Sequence, residues 1–236
     1  MHQTKIAIIG WEEGIAGQID SWMNSIGYDV KLFIHPFEKA PEIQKINRNV
    51  KLFDYPENNE FKGKPLILKK EWHDVLNADS INHCIIALSD PEERKKQIKY
   101  AIENDIDLIN AVHPSVVINS EVTLGVNVII MSGAIIGYRS EIENGVFINT
   151  GVQIDHHCKL DKYSTLNPGC VLAGNVFVGK KAVIHTNATV INKMQIGKSS
   201  IVGAGCVVIK DVKVNDIVAG VPGRSIKKST HRAAIS

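Results

Sequence analysis

No run of eighteen apolar residues occurs in this chain, no two cysteines stand at C-x-x-C spacing, and neither sign of charge dominates. Each absence removes a class of protein. Without a long apolar run, no membrane-spanning helix is expected. The N-terminal MHQTKIAIIGWEEG follows its short apolar run with acidic residues and offers no small-residue cleavage site, so a cytoplasmic protein is the simplest expectation. Cys84, Cys158, Cys170 and Cys206 lack the spacing of a zinc knuckle or a redox motif. A net charge of +2 over 236 residues gives no polyelectrolyte signature, so nucleic acid is not an expected partner. What is present is a hydrophobic fraction of 44%, enough to fill the core of one or two domains.

The apolar residues follow two different periods. Up to about residue 110 they alternate between strand and helix patterns. KIAIIG, DVKLFI, PLIL, HCIIAL and IDLINA read as strands, AGQIDSWMNSIG reads as a helix ending at Gly27, and helical stretches separate the last three strands. This is the rhythm of a small parallel sheet. In DPEERKKQIKYAIEN, Asp90 can cap a helix, Pro91 fits its first position and Glu93 completes a capping box. The polar segment from Phe37 to Lys64 reads as an excursion from the sheet.

From residue 112 every sixth residue is aliphatic, from Val112 through Ile148, Ile154 and Leu160 to Val214, eighteen consecutive positions. At the chain's hydrophobic frequency chance supplies such a run about four times in ten million. Four residues beyond each comes a mostly small side chain, among them Ala134, Ser140, Cys158, Ser164, Cys170, Ala182, Ala188, Ser200 and Cys206. One large aliphatic and one small inward residue per hexad mark a parallel β-helix of short strands, three to a triangular coil. Residues eighteen apart then stack. Cys170 and Cys206 fall two coils apart, about 9 to 10 Å, beyond disulfide reach. The unbroken count predicts no inserted loop, so a site must use outward residues, the sheet domain or a second subunit.

The hexads, together with AGNVFVGKKA after the histidine pair and the ending IVGAGCVVIKDVKVNDIVAGVPGRSIKK, resemble those of the left-handed β-helix acyltransferases. With the small sheet domain in front, the whole chain resembles the bacterial sugar acetyltransferases that act on nucleotide-linked 4-amino-4,6-dideoxysugars, and the related sialic acid O-acetyltransferases. The left hand of the coil is implied by this resemblance. So is a division into a Rossmann-like sugar-substrate domain over residues 1–110 and an acetyl-CoA-binding β-helix with a C-terminal tail over 111–236.

The resemblance also implies site residues. The family's catalytic histidine sits in an E-H-E/D-C hexad, on which His156 of DHHC falls. A neutral imidazole suits the task, since an amine or hydroxyl attacking the acetyl-CoA thioester must lose a proton, and a good thiolate leaving group makes a covalent enzyme intermediate unnecessary. The family's acidic residue after the base is here His157, with Asp155 on the other side as a second candidate for orienting the ring. Positions matching acetyl-CoA contacts are Thr165, Gly174, Thr186 and Ala204, the last within GAG. Substrate positions are Gly10, Glu12, Glu13 and Gly14 of GWEEG, His35 after the second strand, and Ser89 and Arg94 with Asp90 in ALSDPEERKK. Glu12 and Glu13 bring negative charge toward a place the family uses for phosphates. Asn149, Asn167 and His185 form an outward stack eighteen apart.

Zinc is the competing reading of the histidine pair. Adjacent residues on an extended strand do not both face one ion, and the columns below hold Tyr138, Arg139, Ser120 and Glu121, with no histidine. No metal is therefore expected. The expectation is a homotrimeric acetyl-CoA-dependent N-acetyltransferase for a nucleotide-linked amino sugar of surface glycans, with no membrane or nucleic-acid partner. O-acetylation of a sialic-acid-like sugar is the alternative within the class, and a non-catalytic β-helix scaffold the alternative outside it. The scaffold would need neither a histidine at position 156 nor the GAG ending.

Overall fold

The computed structural model describes residues 3–37, 56 and 58–226. The chain divides into two units, one of residues 1–114 with 126–129, the other of residues 115–125 with 130–236.

The first unit is an α/β sheet. Its strands are β1 (Thr4–Ile9), β2 (Tyr28–His35), β3 (Glu60–Phe61), β4 (Lys64–Leu68), β5 (His83–Ile86) and β6 (Asp107–Leu108), in the order β3-β4-β2-β1-β5-β6. All neighbours pair in parallel except β3 with β4. Ile6, Ala7, Ile8 and Ile9 are all fully buried, as a central parallel strand covered on both faces requires. Helices α1 (Glu13–Met23), α2 (His73–Ala78) and α3 (Pro91–Glu103) connect the strands. α1 buries Ala16, Ile19, Trp22 and Met23, one helical face, and a short 3-10 turn carries it to Gly27 in the left-handed region. It begins three residues before the expected start, at Glu13. The expected excursion over residues 37–64 lies largely outside the described residues, and its end forms the β3–β4 hairpin.

α3 starts as its sequence predicts on one side only. The Asp90 carboxylate accepts from the amides of Glu92 and Glu93 at 2.9 and 2.8 Å, and Pro91 opens the helix. The reciprocal half of the capping box does not form, because the Glu93 carboxylate pairs with Lys96. Residues 126–129 join this unit through Asn127. Its buried side-chain amide accepts from Ile86 N at 2.7 Å and donates to Ile86 O at 3.1 Å.

The second unit is a left-handed β-helix of two-residue strands. Strands pair in parallel with an offset of eighteen, as in Ile136↔Ile154, Ile154↔Leu172 and Leu172↔Val190. The second residue of each strand is the hexad aliphatic, and from Ile130 to Val208 all of these are buried. The small fourth residues, including Cys158, Cys170 and Cys206, are buried at the corners. All four cysteines are free thiols.

The uninterrupted count of eighteen fails at its end. Ile196 bridges to Val212, and Ile201 and Val202 pair with Ile217 and Val218, so the offset shrinks to sixteen. Val212 turns inward at 5% exposure, whereas Val214, the last hexad position, is 59% exposed. Periodicity missed this because two valines stand two residues apart, and a two-residue deletion swaps one for the other without leaving a gap in the apolar pattern.

Candidate active site

Asp155, His156 and His157 lie on a corner of the coil, between the strands Gln153–Ile154 and Lys159–Leu160. Strand alternation, on which the sequence expectation rested, does not apply there. His157 has φ +56°, and this left-handed corner turns two consecutive side chains toward each other. The Nδ1 atoms of His156 and His157 are 3.0 Å apart, with the rings edge to face at 5.2 Å between centroids. Asp155 uses Oδ1 to accept from the His156 amide at 2.8 Å, and its Oδ2 stands 4.0 Å from His156 Nε2. Asp155 thus fixes the corner backbone and only flanks the ring. The His156 side chain is 48% exposed and open to a ligand.

One coil further along, Gly174 makes room for this ring. A Cβ built on it would sit 2.5 Å from His156 Cε1 and 2.6 Å from Nε2, far inside contact distance. Any side chain at 174 would push the imidazole aside. One coil earlier, the Tyr138 ring meets His157 edge to face at 5.6 Å. The Tyr138 hydroxyl donates to Glu121 at 2.8 Å, and Arg139 Nε donates to the other Glu121 oxygen at 2.6 Å. These bonds hold the Glu121 carboxyl below its ordinary pKa, Arg139 contributing most. Glu121, Tyr138 and Arg139 support the histidine pair from below. The sequence signal that finds them is the eighteen-residue column Glu121, Arg139, His157.

The corner's thiol faces the backbone. Cys158 is buried and directs its Sγ to Ala173 O at 3.2 Å, and burial pushes its pKa up to about 11. Burial likewise raises Cys170 to about 12 and lifts Cys84 and Cys206. None is a thiolate poised to form an acyl-enzyme. Among the described residues, no group of three or more His, Cys, Asp or Glu side chains is placed to hold a metal ion.

The four expected cofactor residues fall on three parts of one coil stack. Gly174 adjoins His156. Thr186 and Ala204 are exposed one above the other on the next corner, where Gly205 N donates to Thr186 O at 2.9 Å. Thr165 is buried on a face, paired in register with Val183. On the corner of Thr186, Asn167 and His185 meet at 3.3 Å as the expected ladder, while Asn149 accepts from the adjacent Thr150 amide.

In the sheet unit, Gly10, Glu12, Ser89 and Arg94 come together where β1 and β5 end. Connections leave β1 toward β2 on one side and return to β5 on the other, which makes this the switch point of the sheet. Gly10 has φ +105°, and a Cβ there would meet Leu88 Cδ2 at 2.7 Å and Ala87 O at 2.8 Å. The Glu12 carboxylate, which the sequence brings toward this end of the sheet, is tied to the loop after β5. Its Oε1 accepts from both the amide and the hydroxyl of Ser89 at 2.8 Å. Arg94 is 0% exposed, and its Nη1 donates to Leu88 O at 2.7 Å and Ser89 O at 2.9 Å. Burial lowers its pKa to about 10 against the pull of Asp90 and Glu12. Arg94 therefore shapes the Ser89 loop from beneath and presents no guanidinium to a ligand. Glu13 and Gly14 are exposed on the first turn of α1, and His35 is buried at the end of β2, where burial lowers its pKa to about 4.

No family model matches the sequence, and no curated protein matches it. Solved structures do. The fold is that of the hexapeptide-repeat acyltransferases. PerB from Caulobacter crescentus, solved with CoA and GDP-perosamine, is 29% identical, with a TM-score of 0.81 over 94% of this chain and 96% of that one. A histidine-to-asparagine mutant of the perosamine N-acetyltransferase from the same organism, also with CoA and GDP-perosamine, is 28% identical over the same shares, with a TM-score of 0.82. The acetyltransferase domain of PglB from Neisseria gonorrhoeae FA1090, with acetyl coenzyme A, is similar in fold at 22% identity and a TM-score of 0.79, over 95% of this chain and all (100%) of that one.

Proposed function

We propose that the protein is a homotrimeric, cytoplasmic N-acetyltransferase that moves the acetyl group of acetyl-CoA to the amino group of a nucleotide-linked amino-dideoxysugar for surface glycans. The observation that carries this reading is an exposed imidazole on a β-helix corner, with room reserved for it by Gly174, in a chain similar over 94% of its length to an enzyme solved with CoA and GDP-perosamine.

In this mechanism His156 Nε2 takes a proton from the neutral sugar amine as its nitrogen bonds to the acetyl carbon. The carbon–sulfur bond breaks, and the proton passes to the departing thiolate or to water. The cysteines are held protonated by burial, which supports a direct transfer. The nucleotide-sugar is assigned to the switch point of the sheet unit. There the amides of Glu13 and Gly14 open α1 beyond the reach of any helical carbonyl, an arrangement suited to phosphate. Glu12 Oε1 is turned to Ser89, which ties this carboxylate to the loop after β5.

The trimer rests on the outward residues of one coil face, where Val117 is 54% and Ile135 41% exposed on adjacent strands. No helix among the described residues is long and apolar enough to cross a membrane.

An acceptor screen tests the activity: acetyl-CoA with GDP-, UDP- and dTDP-linked 4-amino-4,6-dideoxysugars and with free acidic sugars, read by thiol release. Turnover of a nucleotide amino sugar to its N-acetyl product is expected. Turnover of free acidic sugars alone would establish the O-acetyl alternative, and absence of acetyl-CoA binding by calorimetry would leave a scaffold. Light scattering showing an active monomer would overturn the trimer.

A further inference from the structure

We propose that His157 is a positioning residue that, as a neutral hydrogen-bond acceptor, fixes the proton of His156 on Nδ1 and leaves Nε2 bare to act as base. The proposal rests on the reading of His156 as the base. Two imidazole nitrogens 3.0 Å apart share a single hydrogen between them. If His157 donated it, His156 would spend its Nδ1 lone pair as acceptor and carry its own proton on Nε2. The exposed nitrogen beside Gly174 would then have no lone pair to offer. If His156 donates, Nε2 is free, and after taking a proton the ring keeps its Nδ1–H bonded to His157. Only the second arrangement is competent for proton uptake on the ligand side.

The surroundings leave that role to His157. Asp155, the nearest carboxylate, spends Oδ1 on the His156 amide and stands beside Nε2 rather than Nδ1. Glu121 is taken by the Tyr138 hydroxyl and by Arg139. The Cys158 thiol points to a backbone carbonyl. Tyr138 braces the His157 ring edge-on, and the left-handed corner aims it at its neighbour. A bond in which one ring donates and the other accepts requires the accepting ring to be neutral.

The test uses the full-length protein with 15N-labelled histidine at alkaline pH, where long-range 1H–15N correlations read each tautomer. His156 is expected as the Nδ1–H form and His157 as the Nε2–H form. His157→Gly and His157→Asp both suit a corner of positive φ. In the glycine variant the His156 proton should move to Nε2, and kcat should fall about 10- to 10³-fold with the acetyl-CoA KM unchanged. Aspartate, an acceptor of another kind, should restore both the Nδ1–H tautomer and most of the rate. A wild-type His156 protonated on Nε2, or a tautomer unmoved by His157→Gly, would overturn the proposal. The tautomer is read without substrate, so it stands apart from the activity. If His156→Ala turned over as fast as wild type, it would overturn the base reading and with it the catalytic consequence claimed here.

Discussion

The two units of this chain build their sites by opposite rules. In the β-helix, neighbours in space are eighteen residues apart in sequence, so Glu121, Arg139 and His157 can be aligned by counting. In the sheet unit, Glu12 meets Ser89 across seventy-seven residues, and only the folded sheet brings them together. A periodic scaffold therefore makes a chemical constellation legible, and an aperiodic one hides it. The same contrast extends to stability, because each coil contacts only its neighbours while the sheet shares one core.

The largest effect expected concerns His156. His156→Ala should lower kcat by about 10²- to 10⁴-fold while acetyl-CoA affinity, measured by calorimetry, stays near wild type. Ser89→Ala in the sheet unit should instead raise the acceptor KM and leave acetyl-CoA binding untouched. A loss of cofactor binding in the first variant would mark the corner as structural and blur the division of labour.

Next in size is a test of the coil's arithmetic. Leu166→Ala, at a buried hexad position, should cost about 2–5 kcal/mol in urea unfolding. Val214→Ala, on the same count but facing solvent, should change stability by no more than about 0.5 kcal/mol. Equal costs would mean that the register does not break where the structure places the break.

A third test belongs to the sheet unit alone. His35 is buried neutral, its pKa lowered to about 4, while the unfolded chain binds the proton near 6.5. Between those values the unfolded state holds more protons, so stability is full above pH 6.5 and falls as the pH drops toward 4, by up to about 3 kcal/mol. His35→Phe should remove that slope, which denaturation midpoints at several pH values would show.

The smallest effect expected is at Glu12. Glu12→Gln should weaken the tie to Ser89, costing about 1 kcal/mol of stability and raising the acceptor KM a few-fold. The double change Glu12→Ser, Glu13→Gly should behave similarly, since the carboxylate it removes buttresses a loop. A tighter binding of nucleotide amino sugars after that change would restore Glu12 to the role of a repelling charge.

These contrasts explain what could be read before the fold was known. The hexads from Val112 to Val208 and the histidine corner follow from spacing, because a coil converts sequence distance into position. Val214 was misassigned since an alternating Val-Lys-Val pattern satisfies the count equally well two residues earlier. The mutual approach of His156 and His157 was hidden by strand geometry, as a single left-handed residue undoes alternation. Glu93 fits a capping box by spacing, yet Lys96 one turn on competes for it. The tie of Glu12 to Ser89 was hidden because its partner lies far along the chain.

The shortened final turn has a consequence for how the stack ends. A stack of parallel strands offers its last rung as a template on which another chain can add by the same ladder. Here the rung at Ile217–Ala219 is met by Arg224–Ser225 running antiparallel, and Ser225 Oγ is anchored to Asp216 at 2.6 Å. The reversal, with an arginine in the covering strand, ends the parallel ladder on this face of the coil, so another β-helix cannot extend this sheet by the same parallel register.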